Sequence, residues 1–124
     1  MANEVNGIYE PGQDVSGRCS VAVTGKRFVK ISGNRASGNV AIAPADAAAK
    51  AFGVAGRDAA VGEVVRVLRG NSRVVEVRAG GDIAAFADVE IGAAGVAVTK
   101  TSGVAVGYAV TAATNGGDAE ISLY

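Results

Sequence analysis

The chain has 124 residues, enough for one domain with a single core. Its twelve basic and twelve acidic residues balance, so no whole-chain field attracts it to nucleic acid or to an anionic membrane. There is no histidine and only one cysteine, Cys19, which excludes the commonest general base, the His/Cys metal sites and an intramolecular disulfide. We expect no catalytic residue, no metal and no cofactor.

Targeting and spanning signals are missing from the sequence. The first residues lack a basic start followed by an apolar stretch, and no apolar run approaches the roughly 20 residues that cross a bilayer. We therefore expect a soluble protein that is made in the cytoplasm and has no membrane partner.

Residues 1–17 are rich in Asn, Gly, Pro and Asp and show no period of 2 or 3.6, which predicts an extended N-terminal arm. Val5, Ile8 and Tyr9 are apolar side chains on this otherwise polar segment. Two interpretations remain open: these side chains dock on another subunit, or they fold back onto their own domain. The remaining residues, 18–124, are predicted to form a single β domain.

Apolar and polar residues alternate from Arg18 to Val23, as in a half-buried strand, and place Cys19 on its apolar side. A turn at 24–26 leads to a partner strand at 27–31. Pro44 and the alanines after it predict the only helix, of at most two turns, at 44–51. Further strands are predicted at 40–43, 52–57, 63–69, 73–78, 88–91 and 96–99. The crossing segment 79–87 is expected to be anchored by Ile83 and Phe86.

The chain closes with a predicted hairpin, in which strands at 104–113 and 119–123 flank the turn at Asn115-Gly116-Gly117. The same design occurs earlier, since the stretch 52–55 (FGVA) matches 106–109 (VGYA), and each precedes a glycine, an acid and a strand. We interpret these as two related hairpins. Many short antiparallel strands with glycine turns predict an all-β barrel or sandwich.

A basic cluster, Lys26, Arg27 and Lys30, surrounds Phe28. One aromatic residue without an overall positive charge makes a poor strand for nucleic acid. A solvated edge strand, whose charges discourage unwanted pairing, accounts for it better. Contact with an acidic patch on a protein partner is the remaining alternative.

The order and spacing of several segments resemble the small head-decoration, or capsid cement, proteins of tailed bacteriophages, in the form found in actinobacterial phages and prophages. The segments are 9–12 (YEPG), 23–32 (VTGKRFVKIS), 52–55, 62–65 (GEVV), 106–110 and the closing strand. One departure is at Phe86-Ala87-Asp88, where relatives have glycine before the acid.

This resemblance implies a non-enzymatic virion protein on the outer surface of the capsid. It implies a homotrimer at three-fold and quasi-three-fold positions that stabilises the lattice of the major capsid protein. Val5, Ile8, Tyr9 and Pro11 of the arm, with Lys26, Arg27 and Lys30, are the expected contacts with the capsid or with another subunit. The alternative is a free oligomeric β-barrel that binds a small ligand or carbohydrate, although such sites need more aromatic platforms than three Tyr and three Phe provide.

Overall fold

The computed structural model describes residue 8 and residues 14–124, and its fold is all-β, as predicted. The described residues contain no helix of the length and apolarity that crossing a membrane requires. The strands are β1 Val15–Cys19, β2 Phe28–Ala36, β3 Asn39–Pro44, β4 Gly53–Ala55, β5 Val64–Leu68, β6 Val74–Arg78, β7 Asp88–Ile91, β8 Ala97–Thr99, β9 Gly107–Ala109 and β10 Asp118–Leu123, with one turn of 3-10 helix at Ala93–Gly95.

The strands form two units that follow one another in the chain. The first five close a barrel in the order β1-β3-β2-β4-β5, and β1 completes it by pairing parallel with β3 and antiparallel with β5. The last five form an open sheet in the order β6-β10-β9-β7-β8. Both predicted hairpins are present, since β4 pairs with β5 and β9 pairs with β10.

Residues 14–124 contain four copies of the repeated unit, two more than the sequence interpretation found. Each copy is a strand end, a loop with one isolated bridge residue, a tight turn and a second strand, at residues 19–31, 55–67, 79–91 and 109–121. The first two copies face each other through the bridge of Val23 with Ala59, and the last two through the bridge of Ile83 with Ala113. Each half of the fold therefore contains two facing loops that are joined by backbone hydrogen bonds.

The turns of the four copies share one backbone conformation. Lys26, Gly62, Phe86 and Gly116 occupy the same place in their copies and have φ of 61°, 85°, 69° and 83°. In each case the backbone N–H of this residue donates to the strand end of the facing copy, for example Lys26 to the Ala55 carbonyl at 3.0 Å. The positive φ is required by this exchange of hydrogen bonds, whichever side chain the residue carries.

Two aspartates fasten the facing loops from equivalent places in the second and third copies. Asp58 accepts the N–H of Gly25 at 2.8 Å, and Asp82 accepts the N–H of Asn115 at 3.0 Å. A short carboxylate that accepts a turn N–H replaces a backbone partner that the turn cannot supply itself. These contacts give the two halves the same local stabilisation.

Buried side chains form two clusters that meet at β2 and β4. One fills the barrel and includes Cys19, which is 2% exposed, as predicted from its place on the apolar side of its strand. The other lies between the barrel and the open sheet and includes Phe28 and Val54 together with Val89 and Ile121. Phe28 is fully buried and is the largest side chain of the described core, so it joins the two units.

Several expectations are corrected by the structure. No helix forms at 44–51. Pro44 ends β3, and Ala48 lies in a turn with φ of 62°. The backbone N–H of Ala48 donates to the Ile91 carbonyl at 2.8 Å. Ile83 is a buried anchor, but Phe86 is 79% exposed. The basic cluster is not on an edge strand, because Lys26 and Arg27 precede β2 and Lys30 is on β2, which lies between β3 and β4 in the closed barrel. The first strand begins at Val15, inside the segment expected to be arm.

Candidate interaction surfaces

The three residues of the predicted basic cluster each have a different partner within the chain. Lys26 forms an ion pair with Asp118 at 2.7 Å, which fastens the barrel to the open sheet. The Arg27 guanidinium donates to the Ala94 carbonyl at 3.3 Å. Lys30 pairs with Asp46 at 2.9 Å. All three side chains therefore make contacts within the chain. Lys26 and Arg27 line one groove of about 400 Å³, and Lys30 lines another.

The groove at Lys30 has a volume of about 450 Å³ and lies on the barrel unit. Two lysines, Lys30 and Lys50, and the apolar side chains of Ile31 and Phe52 line it, together with Asp46, Ala49 and Ala51. Ile31 is 45% exposed, so its side chain presents apolar area at the wall of the groove. The guanidinium of Arg69 lies 4.2 Å from the centroid of the Phe52 ring, which makes this surface more basic. We call it the Lys30–Lys50 groove.

Of the four arm residues predicted as contacts, the structure describes only Ile8, whose side chain is 73% exposed. Val5, Tyr9 and Pro11 lie outside the described residues. The described chain resumes at Asp14, which pairs with Arg73 at 2.6 Å and with Arg66 at 3.1 Å. Burial opposes ionisation of Asp14, yet the two arginines, Arg73 most strongly, hold the pKa of this carboxyl below its usual value.

Three aromatic side chains lie together on the outer surface of the open sheet. Phe86 meets Tyr108 edge to face with ring centroids 5.3 Å apart, and Tyr108 meets Tyr124 at 5.9 Å. The Tyr124 hydroxyl donates to the Asp88 carboxylate at 2.7 Å, and this hydrogen bond raises the pKa of the tyrosine. Phe86 and Tyr124 are 79% and 58% exposed. We call these four residues the aromatic–acid surface.

Glu90 is the one buried carboxylate among the described residues, at 6% exposure. Its carboxylate accepts the backbone N–H and the hydroxyl of Thr101 and the N–H of Gly103. The backbone hydrogen bond from Thr101 is the main reason that the pKa of Glu90 is lowered. All of these donors belong to the loop after β8, so Glu90 holds that loop against β7.

The even total charge conceals a separation along the chain. Residues 14–73 carry ten basic and four acidic side chains, a net charge of +6, whereas residues 74–124 carry two basic and six acidic ones, a net charge of −4. The boundary falls between the barrel and the open sheet. This charge separation can be read from the sequence, but the net charge of the whole chain conceals it because the opposite charges cancel.

The sequence profile of the phage cement proteins matches residues 10–123. The chain belongs to this family. It is a structural protein associated with the phage capsid, as the resemblance implied, and it is located on the surface of the virion. A search of curated protein sequences gave no match.

The fold is similar to a solved phage structure, the N base of the head fiber gp8.5 in bacteriophage phi29. The TM-score is 0.76, the sequence identity is 23%, and the match covers 90% of this chain and 93% of that one. At this identity the likeness concerns the fold. It shows that the barrel and the open sheet together are a known architecture.

Proposed function

We propose that the protein is a non-enzymatic cement that binds the major capsid protein on the outside of the head and stabilises its lattice as a homotrimer at three-fold and quasi-three-fold positions. The observation that carries the proposal is the family match over residues 10–123. The solved phi29 neighbour is named as part of a head fiber, which agrees with an external place on the head.

The barrel interior supports a structural role over ligand binding. Its described lumen is filled by Val15, Ile42, Val65 and Val67, each no more than 2% exposed. A barrel of this size packed with side chains has no room for a small molecule. The alternative of a ligand-binding barrel therefore lacks a site in the lumen.

The arm is the proposed contact with the capsid or with a neighbouring subunit, through Val5, Ile8, Tyr9 and Pro11. The exposure of Ile8 supports docking away from the domain, since a side chain folded back on its own barrel would be covered. The Asp14 ion pairs hold the point where the arm leaves the barrel. Lys26, Arg27 and Lys30 are proposed as secondary contacts. A trimer joins three such weak contacts, and the later ones form at high effective concentration.

Deletion of residues 2–12 tests this function. The truncated protein keeps Asp14 and is expected to fold but not to sediment with undecorated heads. A matched control replaces residues 2–12 by a Gly/Ser segment of equal length, which preserves the reach of the arm and removes its side chains. Full occupancy of heads by either variant would contradict the role of the arm, and failure of the intact protein to sediment would contradict the cement function.

A further inference from the structure

Phe86 has the positive φ that its turn requires, but the turn does not require a phenylalanine side chain. The same turn place is glycine in two of the other copies and Lys26 in the third, and positive φ is sterically unfavourable for a residue with a side chain. Phe86 is also 79% exposed, so its ring buries little apolar area in the chain. Strained, exposed positions of this kind concentrate at binding surfaces.

The surroundings of Phe86 define which partner it fits. Asp88 lies in the same surface, and the open sheet carries a net charge of −4 in residues 74–124. Aromatic rings beside a carboxylate favour a partner with cations next to apolar side chains. The partner surface is therefore basic and partly apolar.

The barrel of the same chain has such a surface in the Lys30–Lys50 groove. Lys50 is exposed and forms no ion pair with any described residue, and Ile31 and Phe52 offer apolar contact beside it. The groove belongs to the half with a net charge of +6. Opposite charges on the two halves attract separate copies in one orientation and repel them in the others.

We propose that the aromatic–acid surface of one copy docks in the Lys30–Lys50 groove of a second copy, with Phe86 against Ile31 and Phe52 and Asp88 beside Lys50. The contact joins two different surfaces, so repetition leads either to a closed ring or to a filament. A ring of three such contacts gives the trimer. The inference deepens the proposed function, because it names the surfaces that join the copies and rests on the self-association proposed above.

Charge exchange at one pair tests the contact. Asp88→Lys and Lys50→Glu each place like charges together and are expected to raise the dissociation constant of the oligomer at least tenfold, measured by light scattering over a concentration series. The double variant, with Asp88→Lys and Lys50→Glu in one chain, restores the attraction and is expected to recover most of the association. Higher salt is expected to weaken the association of the unaltered protein.

Glu76→Lys is the matched control. It makes the same charge change on the same sheet, but Glu76 is on β6, two strands away from Tyr108 on β9. It is expected to leave the oligomer in place. Phe86→Ser removes the ring without changing charge and is expected to weaken association as Asp88→Lys does, while circular dichroism confirms that each variant is folded.

Three results would overturn the proposal. The first is an unaltered protein that stays monomeric at every concentration, and the second is a pair of single variants that associate as the unaltered protein does. The third is a double variant that remains dissociated. If the single variants keep their mass but no longer sediment with heads, the two surfaces face the capsid and the proposed contact is wrong, while the cement function stands.

Discussion

Replacement of Gly107 by alanine tests how closely β9 and β10 approach each other. A Cβ atom at this position would lie 2.5 Å from the Ser122 carbonyl oxygen and 2.7 Å from Cγ2 of Ile121. The carbonyl belongs to the backbone of β10, where Gly107 pairs with Leu123, so it cannot rotate away. The two strands would have to separate locally, at the edge of the core that joins the sheet to the barrel.

The cost follows from two opposing effects. Overpacking of a well-packed site costs about 1–3 kcal/mol, and a clash with backbone belongs near the upper end of that range. Alanine regains about 0.4–1 kcal/mol, because it restricts the unfolded chain more than glycine does. We expect Gly107→Ala to lower the free energy of unfolding by about 2 kcal/mol.

Two other glycines supply matched controls. At Gly81 an added Cβ meets nothing within 4 Å and φ is not positive, so Gly81→Ala is expected to raise the free energy of unfolding by about 0.4–1 kcal/mol. Gly116 is equally open but has φ of 83°, so Gly116→Ala is expected to lose about 1 kcal/mol from the backbone conformation alone.

Urea unfolding, followed by circular dichroism, measures all three variants. One protein concentration is used throughout, because association of the folded protein shifts its apparent stability. The expected order of stability is Gly81→Ala, then the unaltered protein, then Gly116→Ala, then Gly107→Ala. If Gly107→Ala is as stable as Gly81→Ala, the close approach of the strands is wrong.

The remaining predictions concern two sets of carboxylates. Asp58→Ala and Asp82→Ala each remove one hydrogen bond between facing loops, and each is expected to lower the free energy of unfolding by about 1 kcal/mol in urea titrations. The losses are expected to add in the double variant, because the two loop pairs lie in different halves of the fold. A strongly non-additive double variant would contradict this. The pKa of Asp118 is lowered by its hydrogen bond with Lys26, so its contribution is present above the unfolded pKa and is lost as the pH falls through the folded pKa. Asp118→Asn should therefore be less stable than the unaltered protein at pH 7, with the difference shrinking below pH 4; a difference that does not change with pH would refute the ion pair.

Local patterns in the sequence predicted most of the strands. In the strand predicted at 73–78, Val75 and Val77 are buried, and Cys19 is buried as predicted. The strand predicted from Arg18 to Val23 is wrong in its bounds, because β1 ends at Cys19 and Val21 is 52% exposed. The matching stretches 52–55 and 106–109 also predicted two hairpins that form. The other two copies were missed because their side chains differ, although Ala-Gly-x-Asp at 55–58 and at 79–82 links the second and third copies.

The sequence was misleading where a distant partner determines the local conformation. Alanine-rich residues 47–49 have high helix propensity, yet they form a turn because Ala48 bonds with Ile91 and Val104. Phe86 was expected in the core because it is apolar, but it lies in a tight turn and its side chain is exposed to solvent. Propensity and hydropathy describe a residue alone, whereas these outcomes depend on pairs far apart in the chain.

The sequence by itself determined the class of fold, the burial of Cys19, and, through the resemblance, the family. Those features depend on residue types and on short spacings, which neighbouring residues in the chain already specify. Only the tertiary structure decided the parallel pairing of β1 with β3 and the backbone bridges between facing loops. It also decided the assembly of the aromatic–acid surface from Phe86, Tyr108, Tyr124 and Asp88. These features join residues far apart in the chain, and such contacts arise only when the whole core closes.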